Sequence, residues 1–220
     1  MRIPGSLFFI PPNLNLKFLI IMKYLFACIF LLAGLFGYGQ KTKIIPLEYV
    51  DPGTILKENQ AIIYGSFIQR LTFWQTGYQQ TIRVRNLETN EVFSFEVKPP
   101  LRSRKENPFC FFIKQGTYEI VNFYYSKSKW YGIENNIRPV FRGIDFEINL
   151  KNKVDSGIIK REDLHRIVFK IDNNTLTYLG QWHFESGAPS FKADKATLDK
   201  KLKEDYFFLE FEKAIIVLPN

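Results

Sequence analysis

From residue 60 onward, apolar and polar positions alternate in short runs rich in Val, Ile, Phe, Tyr and Thr. Clusters of Gly, Pro and Asn separate these runs, and this pattern is typical of β-strands joined by turns. We predict strands at residues 61–68, 81–85, 92–97, 109–114, 117–125, 143–149, 166–172 and 176–184. The pattern therefore predicts a mainly β protein, an antiparallel β-sandwich of about seven strands.

Turn residues between these runs predict how the strands connect. Residues 86–91 separate two alternating runs and predict a β-hairpin. Gln115 and Gly116 predict a tight turn between nearly contiguous strands, and Asn173 with Asn174 predicts another hairpin turn.

One segment near the C-terminus has a helical pattern. Asp194 is a candidate N-cap, and Leu198 and Leu202 share a face at i and i+4, so we predict one short helix there. Residues 206–218 combine alternating and continuous apolar positions, and we predict a closing strand.

Long polar connections are predicted at residues 98–108, 126–142 and 151–163. Such loops are uncommon in small domains and are often functional when ordered. We therefore expect a binding site, where there is one, to lie on these three loops.

The first forty residues have the order of a cleavable signal peptide. Residues 23–36 begin with a lysine and continue as an apolar run, and Gly37 and Gly39 then meet the small-x-small requirement of signal peptidase. The sequence therefore predicts a signal peptide over residues 1–39 and a single mature domain over residues 40–220.

The charged and proline-containing segment before Met22 does not fit a signal, so we expect translation to begin at Met22. A retained membrane anchor at 18–36 is one alternative, but Lys23 interrupts it, and a central charge costs about 2.5–3.5 kcal/mol on insertion scales. A lipoprotein is another alternative, since residues 25–28 end in Cys28 and faintly resemble a lipobox. After cleavage, the mature chain is not expected to be an integral membrane protein.

Export changes what the charge and the cysteine count imply. Cleavage would leave 27 of the 30 basic residues against 22 acidic ones, so the net charge would fall from +8 to +5. This moderate charge suits anionic surfaces, and together with export it argues against nucleic-acid binding. Cys28 would leave with the signal, so Cys110 could form no intramolecular disulfide and is expected to be a small buried apolar residue.

Two segments resemble a known family. Residues 116–120 (GTYEI), after an apolar strand, resemble the Gly-x-Tyr-x-Ile hairpin of transthyretin-like and carboxypeptidase-regulatory-like β-sandwiches. Residues 176–184 (LTYLGQWHF) are similar to a strand of exported, mostly uncharacterised bacterial envelope proteins with that architecture, and a signal that ends in Gly-Gln resembles those of Bacteroidetes. The resemblance implies a sandwich of seven or so strands in the cell envelope, with no activity attached.

Some transthyretin-like proteins are purine-pathway hydrolases, whose relatives end in Tyr-Arg-Gly-Ser. This chain ends in VLPN at residues 217–220, so that activity is not carried over.

Few residues are placed to carry catalysis or to hold a metal. The strong nitrogen and sulfur ligands of the mature chain are His165, His183 and Cys110, and no two of them form a short metal-binding motif. The chain has no Gly-x-Ser-x-Gly elbow and no glycine-rich phosphate loop. We therefore assign no catalytic residue, no metal and no cofactor, and expect a non-enzymatic protein.

Aromatic residues suggest a platform on which sugar rings could stack. For Trp74, Tyr124 and Tyr125, burial in the core is the ordinary explanation. Trp130 and Tyr131 differ because they lie in a polar segment between a lysine and a glycine.

The leading hypothesis is an exported binding module of the periplasm or cell surface, whose partner is an envelope glycan, an anionic lipid or another envelope protein. Its candidate ligand-binding residues are Arg102, Arg104, Lys105, Trp130 and Tyr131. One alternative is an envelope hydrolase with dispersed catalytic residues, in which His183 would be the general base. Another is a structural or assembly factor that associates through an unpaired edge strand.

Overall fold

The computed structural model describes residues 43–53, 56–69, 78–100, 105–185 and 187–220. These described residues are mainly β, with 47% strand and 12% helix, and their two mixed sheets do not close into a barrel. The coarse prediction of a mainly β protein is therefore confirmed. The predicted signal peptide lies outside the described residues.

The described residues form eleven strands, where the sequence predicted about seven. In chain order they are β1 (Ile44–Pro46), β2 (Gln60–Ile68), β3 (Gln80–Asn86), β4 (Val92–Lys98), β5 (Glu106–Lys114), β6 (Gly116–Lys129), β7 (Gly132–Pro139), β8 (Val168–Ile171), β9 (Leu176–His183), β10 (Ser190–Lys192) and β11 (Ile215–Ile216). The helices are α1 (Leu150–Asp155) and α2 (Lys195–Leu202), with short 3-10 helices at Arg161–Asp163 and Phe211–Lys213.

The strands divide into two sheets. Sheet A has the order β1-β4-β3-β6-β7, with β8 beside the first residues of the long strand β6. Sheet B has the order β10-β9-β2-β5, with β11 also beside β9. Both sheets are mixed because β1 runs parallel to β4, and β9 runs parallel to β2.

Aromatic side chains from both sheets form one buried core. Trp182 of β9 is fully buried, and its ring centroid lies 5.8 Å from that of Phe95 on β4 and 5.6 Å from that of Phe109 on β5. Its indole N–H donates to the carbonyl of Leu179 at 2.9 Å, so the one polar atom of the ring is satisfied. Trp182 therefore joins the two sheets across the core.

Helix α2 packs on the outer face of sheet B over a second, smaller core. The hydroxyl of Tyr64 donates to Asp199 at 2.8 Å, and the ammonium of Lys195 donates to Asp199 and to the carbonyl of Phe211, both at 2.6 Å. Burial, with the nearby Asp199 carboxylate, raises the pKa of Tyr64, so the phenol stays a hydrogen-bond donor. Both polar contacts and apolar packing therefore hold α2 in position on sheet B.

The N-terminal strap, residues 44–50, lies along one edge of both sheets. The amide of Leu47 donates to the Ser94 carbonyl of sheet A at 2.8 Å, and the amide of Phe112 in sheet B donates to the Glu48 carbonyl at 2.9 Å. Backbone groups of β4 and β5 that would otherwise be exposed at this edge are therefore satisfied.

The C-terminal strap, residues 215–220, links the sheets at another edge. Val217 donates its amide to the Tyr178 carbonyl of sheet B at 2.9 Å, and Asn220 exchanges two backbone hydrogen bonds with Val168 of sheet A, at 2.8 and 3.0 Å. Each end of the described chain therefore ties sheet A to sheet B.

The turn predictions were correct in position but only partly correct in topology. Strands β3 and β4 pair antiparallel, as the hairpin at 86–91 predicted. The turns at Gln115 and Gly116 and at Asn173 and Asn174 are not hairpin turns, because β5 and β9 belong to sheet B whereas β6 and β8 belong to sheet A. The same turn residues suit a hairpin and a chain reversal between sheets, so local sequence could not separate the two.

Two of the predicted loops contain regular structure. Residues 126–142, predicted as a loop, continue β6 and form β7, because these polar residues alternate on an exposed part of the sheet. Residues 151–163, also predicted as a loop, contain most of α1 and a 3-10 helix.

Two predicted strands are absent from the described residues. Residues 143–149 form turns, with an isolated bridge from Phe141 to Ile144, and Phe146 packs into the core without strand pairing. In the segment 206–218, only Ile215–Ile216 is a strand, since the preceding residues form turns and a 3-10 helix.

We expect the substitution Trp182→Ala to lower the free energy of unfolding by about 3–5 kcal/mol, because it leaves a large cavity between the sheets. Trp130→Ala is the matched control, since that side chain is 93% exposed and its removal should change stability by less than about 0.5 kcal/mol. Urea denaturation followed by circular dichroism measures both. Equal losses in the two variants would contradict this account of the core.

Candidate functional site

The predicted ligand-binding residues are only partly described by the structure. Arg102 and Arg104 lie outside the described residues. Lys105 is exposed, just before β5 begins, and its carbonyl accepts the amide of Gln69 at 3.1 Å. Trp130 and Tyr131 form the two-residue turn between β6 and β7, where they are 93% and 66% exposed. Their rings meet edge to face at 5.4 Å.

Contacts through two buried glutamines place Lys105 and the aromatic turn at the same end of the molecule. Gln69, which contacts Lys105, accepts a 2.8 Å hydrogen bond from Gln80 of β3. Gln80 lies opposite Tyr125 of β6, and β6 continues from there to the aromatic turn. Lys105 and the turn therefore lie toward the same end of the sheets.

A groove that the sequence did not predict lies between the N-terminal strap and the outer face of sheet A. Its volume is about 290 Å³. Its polar and aromatic walls are Tyr49, Thr81, Arg83, Ser94, Glu96 and Tyr124. These side chains share a face because Arg83 lies opposite Ser94, and Thr81 lies opposite both Glu96 and Tyr124 in the antiparallel register.

Several polar atoms on this face are buried without a hydrogen-bond partner. They are Nε of Arg83, Oε1 of Glu96 and Oδ1 of Asn122, which lies directly opposite Arg83 on β6. The other Glu96 oxygen accepts the hydroxyl of Tyr49 at 3.0 Å, and the guanidinium of Arg83 lies 5.6 Å from the ring centroid of Tyr124. Among the described residues, one donor and two acceptors on this face are thus buried without a partner, at a cost that such groups seldom bear in a folded protein.

Arg85, the next arginine on this face of β3, has a guanidinium with hydrogen-bond partners. Arg85 donates through Nε to Glu119 at 2.8 Å and makes a second hydrogen bond to that oxygen through its terminal nitrogen. Among the described residues, no such ion pair is formed by Arg83. The two arginines therefore differ in their interaction partners although they have the same position in the alternating pattern.

The alternation of Arg83 and Arg85 with apolar residues was the sequence signal for this face. It identified a polar surface on one side of β3. It could not reveal the groove, because the facing wall comes from the N-terminal strap and from β6, which are distant in sequence.

His183 lies in a hydrogen-bond network on sheet B, away from this groove. Its Nδ1 lies 2.7 Å from Glu185, and its Nε2 lies 2.9 Å from the side-chain oxygen of Gln181. The amide nitrogen of Gln181 donates to Glu106, so its oxygen must be the atom that accepts from His183. Both ring nitrogens thus have hydrogen-bond partners, so neither is free to act as the general base of the hydrolase alternative.

Glu106 continues the same network to helix α2. Its carboxylate accepts the side-chain amide of Gln181 at 3.0 Å and the ammonium of Lys201 at 2.7 Å. Burial opposes the ionisation of Glu106, but these hydrogen bonds outweigh it and hold the pKa below its ordinary value. The network therefore connects β9 and β5 to α2 by charge-assisted hydrogen bonds.

Other reactive groups have structural surroundings. Cys110 is 1% exposed, which confirms that it is a small buried residue, and burial raises the pKa of its thiol. Within the part of the chain that the structure describes, no three His, Cys, Asp or Glu side chains are grouped as metal ligands. In the same part, none of the helices has the length and apolar character needed to span a membrane.

Because the folded-state pKa of Glu106 is lowered, its contribution to stability is complete above its ordinary pKa and is lost as the pH falls through the lowered value. We expect Lys201→Ala to decrease stability at neutral pH and to reduce the loss of stability between pH 5 and pH 2, since Lys201 favours the ionised form. The measurement is urea denaturation across that pH range. Lys200→Ala is the matched control, and an equal change in its pH profile would contradict this assignment.

No protein family, curated protein or solved structure matches the chain. The resemblance to transthyretin-like envelope proteins therefore stays a prediction, and the function has to be argued from the geometry of the groove and the aromatic turn.

Proposed function

We propose that this chain is an exported, non-enzymatic β-sandwich module that binds a glycan across the outer face of sheet A. The observation that carries the proposal is the groove in which Arg83 and Glu96 each hold a buried polar atom without a partner, beside the ring of Tyr124. The backbone that carries these groups is fixed by strand pairing, so a ligand needs only a local side-chain movement to reach them.

A glycan fits this combination because each sugar hydroxyl is at once a donor and an acceptor. After a small side-chain movement that exposes these buried atoms, the N–H of Arg83 could donate to a hydroxyl oxygen, while the oxygens of Glu96 and Asn122 could accept a hydroxyl proton. An aromatic ring supplies a flat apolar surface for the C–H face of a pyranose, and Tyr124 and Tyr49 line opposite parts of the groove. A simple anion would leave the oxygens of Glu96 and Asn122 without a hydrogen bond. An apolar ligand would leave these two oxygens and the N–H of Arg83 without one.

The surface that could contact a longer chain extends beyond the groove. Tyr124 lies opposite Ile137 in β7, and the same face continues through Ile133 to the turn of Trp130 and Tyr131. Four of these side chains, Trp130, Tyr131, Ile133 and Ile137, are more than half exposed. The aromatic turn therefore supports the proposal as a second contact region, reached by a ligand that lies along the hairpin.

Export to the periplasm or cell surface is supported by the order of charged, apolar and small residues over 23–39. A protein that binds envelope glycans must reach them, so the predicted signal and the proposed ligand agree in location.

We expect Arg83→Ala to weaken glycan binding at least about tenfold, because a hydrogen bond to a charged group contributes about 1.5–3 kcal/mol. We expect Tyr124→Ala to weaken binding as well, because it removes the aromatic surface on which the sugar stacks. A glycan array identifies the ligand, and isothermal titration calorimetry measures the affinities. Arg85→Ala is the matched control on the same strand and should change affinity by less than about twofold, since Arg85 is engaged by Glu119. If no glycan binds, or if Arg85→Ala weakens binding as much as Arg83→Ala, the proposed site is wrong.

For export, we expect a bacterial host to release a product that begins at Gln40, as determined by intact mass and N-terminal sequencing. Leu31→Arg places a charge in the apolar run and should leave the precursor uncleaved. Leu87→Arg, at an exposed residue of the folded part, is the control and should be processed normally. A product that begins at a lipid-modified Cys28 would instead support the lipoprotein alternative.

A further inference from the structure

Within the described part of the chain, the outer edge of β7 is long and unpaired, whereas the other strand edges are covered or very short. The N-terminal strap covers β4 and β5, and the C-terminal strap pairs with β8 and β9. The outermost strands β1, β10 and β11 have only two or three residues each. β7 has eight residues, and among the described residues its backbone pairs only with β6. Long uncovered edges are ready to pair with another strand.

The register identifies the backbone groups that point outward from this edge. Lys129 and Gly132 flank the two-residue turn and form a hydrogen-bonded pair, after which bonded and non-bonded pairs alternate. The free N–H and C=O groups therefore belong to Ile133, Asn135 and Ile137. Two observations agree with this assignment, because Pro139 falls at a position that needs no N–H, and Val140 donates to Val121 at 3.2 Å.

The outer face of this edge carries apolar and neutral polar side chains. Ile133 and Ile137 are 62% and 54% exposed on the outer face, and Asn135 between them is also exposed. No charged side chain alternates with them on that face, whereas natural edges are commonly protected by lysine, by proline or by a bulge. Apolar area and free backbone groups therefore occur together at this edge.

We propose that β7 pairs antiparallel with β7 of a second copy of this chain, about a twofold axis at Asn135. The pattern of the strand is self-complementary about that residue. With Asn135 opposite the partner's Asn135, Ile133 lies opposite the partner's Ile137, and the same contact is repeated by symmetry. Two apolar cross-strand pairs then cover four exposed isoleucines, and the free backbone groups of both edges are satisfied.

This pairing adds a property that the groove alone does not have. In an antiparallel ladder, the twofold axis is perpendicular to the sheet, so the outer faces of both copies point to the same side. The two grooves then lie on one continuous sheet surface, and a repetitive ligand could occupy both at once. Linked sites of this kind increase apparent affinity without any new contact.

Sedimentation equilibrium of the purified protein tests the pairing without any ligand. We expect a dimer whose dissociation constant rises at least about tenfold in the double variant Ile133→Lys and Ile137→Lys, which places lysines opposite each other across the axis. Ile158→Lys is the matched control, since Ile158 is 66% exposed and is not part of β7, and it should leave the dimer unchanged. A wild-type protein that stays monomeric, or a control variant that dissociates equally, would overturn the proposal.

Cross-linking tests the register directly. The Cα atoms of a hydrogen-bonded antiparallel pair are about 5.5 Å apart, a distance that a disulfide spans. Asn135→Cys should therefore form a covalent dimer under mild oxidation, whereas Asn173→Cys, in an exposed turn, should not, and the buried Cys110 does not compete. Equal cross-linking of the two variants would refute the register. A monomer that still binds glycans would refute the pairing alone, and a dimer that binds none would refute only the glycan site.

Discussion

Aromatic packing between the two sheets is the interaction on which the rest of the structure depends. Cys110 is free and buried, and each sheet alone would expose one apolar face, so stability has to come from burial. Trp182 meets rings from both sheets at centroid distances below 6 Å, and its polar atom is satisfied within its own strand. The outer face of sheet A can carry unsatisfied polar atoms because this core supplies the compensating free energy.

The two terminal straps cover strand edges of the sheets, and the N-terminal strap also forms a wall of the groove. By pairing with β4 and β5, the N-terminal strap both covers two edges and forms one wall of the groove. At another edge the C-terminal strap connects β9 to β8. Within the described residues β7 is long and its outer edge is uncovered, so the proposed ligand site and the proposed contact with a second copy lie on the same sheet. The two proposals can be tested separately.

Sequence patterning was most successful where one strand face is buried. The alternation in β3 and β4, and the apolar run in β9, placed these strands within one or two residues of their observed ends. It failed at residues 126–142 and 143–149, because β7 is a solvent-exposed hairpin strand with polar residues, whereas Phe146 is buried in a turn. Burial creates the periodic signal, so an exposed strand gives none and a buried turn gives a misleading one.

What the sequence alone determined was the mainly β composition of the fold, most of its strands, the buried character of Cys110 and the unusual position of Trp130 and Tyr131 in a polar segment. The tertiary structure decided which strands share a sheet, that Arg83 and Glu96 face the N-terminal strap, and that β7 has an uncovered edge. The physical reason is the range of the interactions. Alternation and turn preference depend on neighbouring residues, whereas sheet membership, groove walls and edge coverage depend on contacts between residues far apart in the chain.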